Sequence, residues 1–138
     1  MKTKQALLKA FKAIYNTLPV IVGVVLLVSL GNTLIPDSFY SSVFSGNVFS
    51  DSLVGSAIGS VLAGNPVTSY IIGGGLLEQG VGLVAVTSFI VAWVTVGVIQ
   101  FPGEAILLGK KFAIVRNVSA FVLSILVAIT TCLVVGLL

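Results

Sequence analysis

Histidine is absent from the 138-residue sequence, and cysteine occurs once. The first absence removes the commonest general base and the commonest metal ligand. The second excludes a disulfide framework or a thiolate metal site, and Cys132 itself lies inside an apolar run. Charge is nearly as scarce. Seven Lys and Arg and four Asp and Glu make up 8% of the chain, where a soluble domain carries roughly 25%. The carboxylates are not paired, and no nucleophile has a visible base. The chain is therefore expected to have no catalytic residues, no metal ligands and no cofactor, which makes an enzyme the weakest reading.

What the sequence has in abundance is apolar surface. Hydrophobic residues are 57% of the chain, and mean hydropathy is +1.21. So few charges cannot cover a water-soluble protein of this size, and the missing polar surface is expected to face lipid. The expectation is an all-α integral membrane protein, with residues 1–138 forming a single transmembrane domain. The net charge of +3 is less informative than its placement. The basic residues form two clusters, Lys2, Lys4, Lys9 and Lys12, then Lys110, Lys111 and Arg116. This is a topology signal and not a nucleic-acid patch.

Along the chain, residues 1–17 are amphipathic. Leu7, Leu8, Phe11, Ile14 and Tyr15 recur at helical spacing between lysines, which suits a helix at the membrane interface. The alternative is a simple extension of the first span. The apolar stretch starts late and no clear small-x-small site follows it, so the segment reads as retained and not as a cleaved signal. Residues 18–36 form the first span, about the ~20 residues needed to cross the hydrocarbon core. Residues 37–51 hold no Lys or Arg and read as an external loop, with Phe39, Tyr40, Phe44 and Phe49 suited to the headgroup level. Residues 81–101 form a second span ended by Pro102-Gly103. Residues 102–117 read as a basic interfacial loop or short helix, and residues 118–138 as the last span. Trp93, deep in the second span, is expected to pack against protein.

Residues 52–80 carry the most information. Two apolar arms flank Gly64-Asn65-Pro66-Val67-Thr68-Ser69, and each arm is too short to cross alone. Pro66 lacks a backbone donor and biases Asn65 away from helix, while Gly64 permits positive φ. The result is a broken helix or a re-entrant hairpin centred on Gly64-Asn65-Pro66. Broken backbone at membrane depth is tolerated only inside protein or beside a water-filled cavity. Transporters build substrate sites this way. The candidate substrate-binding residues are Asn65, Pro66, Thr68 and Ser69, with Ser88 and Thr95 as a polar stripe on the next span. Glu104 and Gln100 are candidates for ion coupling. The bland readings are a proline-kinked helix, ordinary interhelical hydrogen bonding and a Glu104 paired with a nearby lysine. Ser52, Ser56 and Ser60, with Gly55 and Gly59, read as a close-packing face. Gly73-Gly74-Gly75 is packing or hinge, and no Gly-Lys-Ser/Thr follows to make it a phosphate loop.

The run from Gly64-Asn65-Pro66-Val67-Thr68-Ser69-Tyr70 through Leu76-Leu77 and Gly80-Val81 to Gln100-Phe101-Pro102, Glu104 and Leu107-Leu108-Gly109-Lys110 resembles one half of a predicted-permease family that includes organoarsenical efflux permeases. Full-length members hold two such halves. The resemblance implies a half-size transporter that needs a second half, most simply another copy of itself. It places the family's central motif at Asn65–Ser69. Arsenical-transporting members carry cysteine near that motif. Here Cys132 is far along the chain, so the substrate is left open as a small solute or ion.

Two topologies differ sharply. A re-entrant 52–80 hairpin puts both basic clusters in the cytoplasm and the C-terminus outside. A broken full crossing sets the clusters on opposite sides, nearly balanced, and permits an antiparallel dimer. The positive-inside rule and the basic-free loop favour the hairpin. Either way three spans cannot enclose a cavity alone, so a homodimer or higher homo-oligomer is expected. The expected setting is a multi-pass protein of the prokaryotic cell membrane with its N-terminus in the cytoplasm. The rivals to a permease are a small oligomeric channel and an accessory subunit of a larger transporter.

Overall fold

A computed structural model of the protein describes residues 2–34, 36, 39, 42–62 and 65–137. The regular structure among them is helical: α1 Lys2–Leu34, α2 Val48–Val61, α3 Pro66–Glu78, α4 Leu83–Thr95, α5 Phe101–Leu107 and α6 Lys110–Leu137. Among the described residues, only α1 and α6 are helices long and apolar enough to cross a membrane, where the sequence pattern suggested about three full spans.

The chain departs from the expected segments in two places, and in two more it takes one of the alternatives. The amphipathic segment takes the second of its two readings, a simple extension, since α1 runs from Lys2 through Pro19 to Leu34 as one helix. The strong helix formers before Pro19, Ala6 to Ala10, carry the helix into the apolar run. The segment expected as a loop up to residue 51 gives way to helix earlier, because Asn47 starts α2 four residues before Asp51. Its side chain accepts from the N–H groups of Phe49 and Ser50 at 3.0 and 3.4 Å. Residues 81–101 do not form one span. Helix α4 stops at Thr95, and a new helix, α5, begins at Phe101 with Pro102 in its first turn. The basic segment 102–117 takes the short-helix alternative and not the loop. It contains α5, a turn at Gly109 with φ +93°, and the first two turns of α6. Gly64 and Tyr40 lie outside the described residues.

Helix α4 is central, with α2, α3 and α6 packed around it, while α1 lies against α3 and α5 against α6. Helices α2 and α4 meet backbone to backbone. A Cβ on Gly55 would lie 2.2 Å from the Ala85 carbonyl oxygen, and one on Gly59 would lie 2.3 Å from that of Phe89. The small-residue face of α2 is thus a packing face, as its spacing suggested. Ser56 and Ser124 hydrogen-bond at 2.9 Å where α2 meets α6. The remaining buried serines are tied to their own helices: Ser52 donates to the Phe49 carbonyl, Ser60 to Ala57, Ser69 to Pro66 and Ser88 to Ala85. Trp93 is buried and meets Phe89 edge to face, with ring centroids 5.5 Å apart. The outside of the bundle is oily, with Leu26, Leu27, Leu123 and Leu133 among its exposed residues.

The turn between α3 and α4 is fixed by Gly80, whose φ is +81°. Gly80 N–H donates to Leu77 and Val81 N–H to Leu76, both at 3.0 Å. Leu76 packs back against the Val81 cluster. This double closure with an apolar clasp is the Schellman ending. It sends the chain straight back along α3.

Candidate functional site

The helix ends sort into two groups. At one end of the bundle the start of α2, the turn 79–82, the start of α4 and the last turns of α6 surround a cavity of about 910 Å³. At the other end a smaller pocket of about 90 Å³ is lined by Leu62 after α2, Pro66 opening α3, Trp93, Val94 and Val96 at the end of α4, and residues 97–100. So α2 and α3 run in opposite directions, and α4 runs alongside α2. The first break, between Leu62 and Asn65 at the end of α2 and the start of α3, and the second break at 96–100 border one pocket. The first was legible in the sequence and the second was not.

At the first break, Asn65 is the N-cap of α3. Its Oδ1 accepts from Val67 N–H at 2.9 Å, and its carbonyl accepts from Thr68 N–H at 2.9 Å. Pro66 takes the first helical position, where a missing N–H is harmless. Proline here starts a helix; it does not kink one. Thr68 is half-buried on the first turn, and Ser69 is fully buried with its hydroxyl on the Pro66 carbonyl at 2.7 Å.

At the second break, Val96 caps α4 with its N–H on the Ala92 carbonyl at 2.8 Å. Gly97 follows, with the Gln100 side chain folded against it; a Cβ there would lie 2.9 Å from Gln100 Oε1. The Gly97 N–H would have no helical partner, and Asn117 Oδ1 accepts it at 2.8 Å from α6. Asn117 Nδ2 donates to Glu104 Oε2 at 3.1 Å and to the Ala113 carbonyl at 2.9 Å. Glu104 also pairs with Arg116, so its partner is an arginine and not a lysine. The Arg116 guanidinium reaches the Thr95 carbonyl at 3.5 Å. That places a cation at the C-terminal end of α4, where the helix dipole favours one.

The candidate residues therefore divide. Pro66 and Gln100 come together at the pocket between the two breaks, with Asn65 capping α3 next to Pro66 and Thr68 and Ser69 on its first turn. Glu104 stands behind the second break as part of its support. Thr95 ends α4 with its hydroxyl on the Val91 carbonyl at 2.7 Å. Ser88 does not belong to the site. It is fully buried about two turns back and packs against Gly55. Sequence reasoning missed Gly97, Arg116 and Asn117. Gly97 carried a signal, since a glycine among Val96, Val98 and Ile99 and ahead of Pro102 is a poor place to continue a helix.

Asp51 was also overlooked. It is buried at the mouth of the large cavity, and its carboxylate accepts from Ser45 N–H at 2.8 Å, Ser45 Oγ at 3.2 Å and Gly46 N–H at 2.9 Å. Its role is to tie the incoming loop to the start of α2. Among the described residues no group of His, Cys, Asp and Glu is placed to hold a metal.

No family model, curated protein or solved structure matches this chain.

Proposed function

We propose that this protein is a half-size membrane permease, moving a small solute or ion through a site at the two adjoining breaks. The observation that carries the reading is the meeting of the breaks around one pocket, which Leu62, Pro66, Gly97 and Gln100 line beside the helix ends. In an oily bundle, interrupted backbone is tolerated where it is enclosed by protein or meets water. Opposed helix ends there supply partial charges of both signs for a polar solute.

In this reading, α1 and α6 cross the bilayer. Helices α2 and α3 form a re-entrant hairpin, each about 20 Å long at 1.5 Å per residue. Helix α4, the second break and α5 together make a broken crossing. Because α6 begins at Lys110 and ends at the large cavity, Lys110 and Lys111 lie at the opposite end. The N-terminal lysines join them there if α1 crosses toward the start of α2. All the basic residues then share the cytoplasmic side, as the positive-inside rule favours. The large cavity becomes an external vestibule, and the C-terminus is outside.

The resemblance to one half of the predicted-permease family supports this reading. The test is flux into liposomes holding the purified protein, screened over anions, metal oxyanions and small metabolites. Saturable uptake that falls at least tenfold in Gly97→Val, a variant that must displace Gln100, is expected. Uptake equal to that of empty liposomes across the panel would reject the reading.

A further inference from the structure

We infer that the solute crosses the middle of this bundle uncharged, through an apolar chamber between α2, α3 and α4 that admits a small organic molecule and bars ions. The inference rests on the permease reading and narrows the solute that it leaves open. Helices α2 and α3 both pack on α4, and the wedge between them holds a cavity of about 170 Å³. Its walls come from single helix faces. Ile58 and Leu62, Ile72 and Leu76, and Ala85 and Phe89 all line it, each pair four residues apart. No polar side chain is among its lining residues. The hydroxyls of the same helices are turned onto their own backbone: Ser60 donates to Ala57, Ser69 to Pro66 and Ser88 to Ala85. Among the described residues no buried side-chain nitrogen or oxygen lacks a partner, so no polar group is held ready there for an ion.

The chamber lies between the two polar cavities. It shares Phe44 and Ala85 with the large cavity, where Asp51 and Gln79 lie, and Leu62 with the break pocket, where Gln100 lies. The order along α4 is strict. Leu83 to Ala85 line the large cavity, Ala85 and Phe89 the chamber, and Trp93, Val94 and Val96 the break pocket. Along α2 it is the same, from Val48 and Asp51 through Gly55 and Ile58 to Leu62 just beyond its end. The three cavities therefore form one line through a single protomer, wet at both ends and apolar in the middle. An ion entering the middle sheds its water and finds nothing in exchange. An apolar constriction on a pore blocks ions by dewetting for the same reason. An apolar cavity of roughly 150 Å³ walled by Leu, Ile and Phe stays dry and takes a benzene-sized molecule. The occupant that fits is an uncharged organic molecule of about that size, with its polar groups served at the two ends of the route.

The experiment is thiol reactivity of the full chain in sealed vesicles, on a Cys132→Ser background. Three methanethiosulfonates are compared: the uncharged propyl, the positive trimethylammonioethyl and the negative sulfonatoethyl compounds. At Ile72→Cys the uncharged reagent is expected to react about tenfold faster than either charged one, or more. At Ser45→Cys in the large cavity and Gln100→Cys in the break pocket all three are expected to react at similar rates. Leu76→Cys is the second chamber position, read in place of Ile72→Cys if that variant does not insert. Charged reagents that keep pace in the chamber show that it is wet and overturn the inference. No reaction in the chamber with any reagent, while Ser45→Cys and Gln100→Cys react, shows a sealed core and overturns it too. Flux is read separately. Ile72→Trp, which fills the chamber, is expected to cut uptake about tenfold, and unchanged uptake places the chamber off the route. Wild-type uptake of a permanently charged ion rejects the inference and leaves the permease. The expected thiol pattern with no uptake of any solute keeps the chamber as a dry barrier and rejects the permease.

Discussion

Asn117 Oδ1 accepts the backbone N–H of Gly97 at 2.8 Å, and this one bond joins the start of α6 to the second break. The same amide donates to Glu104 and to the Ala113 carbonyl. Glu104 in turn pairs with Arg116, which reaches the end of α4. The second break is therefore held open by a side-chain network on its far side, leaving the pocket side clear.

Removing that amide should loosen the break. Asn117→Ala strips a partner from the part-buried Gly97 N–H and one of two from Glu104, a loss of about 1 kcal/mol or somewhat more. The melting temperature in mild detergent is expected to fall by several degrees. Asn117→Asp keeps an acceptor for Gly97 but sets a carboxylate against Glu104. It should be at least as unstable, and Glu104→Gln in the same chain should recover part of the loss. A double variant no more stable than Asn117→Asp would show that the network does not hold the break.

The α2–α4 crossing allows a second comparison. Gly59→Ala must push Phe89 backbone aside, and overpacking of this kind costs about 1–3 kcal/mol. Gly74→Ala meets nothing within 4 Å and is expected to melt with the wild type. Gly55→Ala should behave like Gly59→Ala. Equal melting of all three would mean that α2 and α4 are not in backbone contact.

Asn65 can be separated into cap and ligand. As the N-cap of α3 it is worth about 0.5–2 kcal/mol over alanine, and serine keeps most of that. Asn65→Ala is expected to lower stability and flux together, while Asn65→Ser restores stability. If Asn65→Ser is stable but still lacks flux, the amide itself meets the solute. If Asn65→Ala keeps full flux, Asn65 is a cap and nothing more. Pro66→Ala is expected to be mild, because Pro66 begins a helix and interrupts none.

How much of this was legible in the sequence depends on where the punctuation lay. Asn65-Pro66 puts a cap and a helix-starting proline in a row, so the first break was readable. The close-packing face of Gly55 and Gly59 was readable from its spacing of four. The second break hid because Pro102 sits five residues beyond Gly97 and drew the boundary toward itself. Val96 and Val98, β-branched in an apolar run, look like the middle of a span. The partnership of Asn117 with Gly97 could not be read at all, since it depends on how α6 folds back against α4. Ser88 misled for the opposite reason. Its helical face is right, but that face meets glycine and not a cavity.

Topology gives a further prediction. The start of α2 and the end of α3 both line the large cavity. On the Cys132→Ser background, Ser45→Cys and Gln79→Cys are expected to react with an impermeant thiol reagent from the same side of sealed vesicles. Lys110→Cys should react from the other. Labelling of Ser45→Cys and Gln79→Cys from opposite sides would rule out the hairpin.

The most direct measurement concerns the depth and wetness of the breaks. Gln100→Cys and Leu62→Cys, each carried by a Cys132→Ser chain in lipid vesicles, can be tested for reaction with a small charged thiol reagent. The same positions, spin-labelled, can be placed by depth-dependent relaxation. The expected result is reaction with the charged reagent at positions within the hydrocarbon core, which only a water-lined site at membrane depth permits. Labels at headgroup depth, or buried labels that react only with a lipid-soluble maleimide, would contradict it.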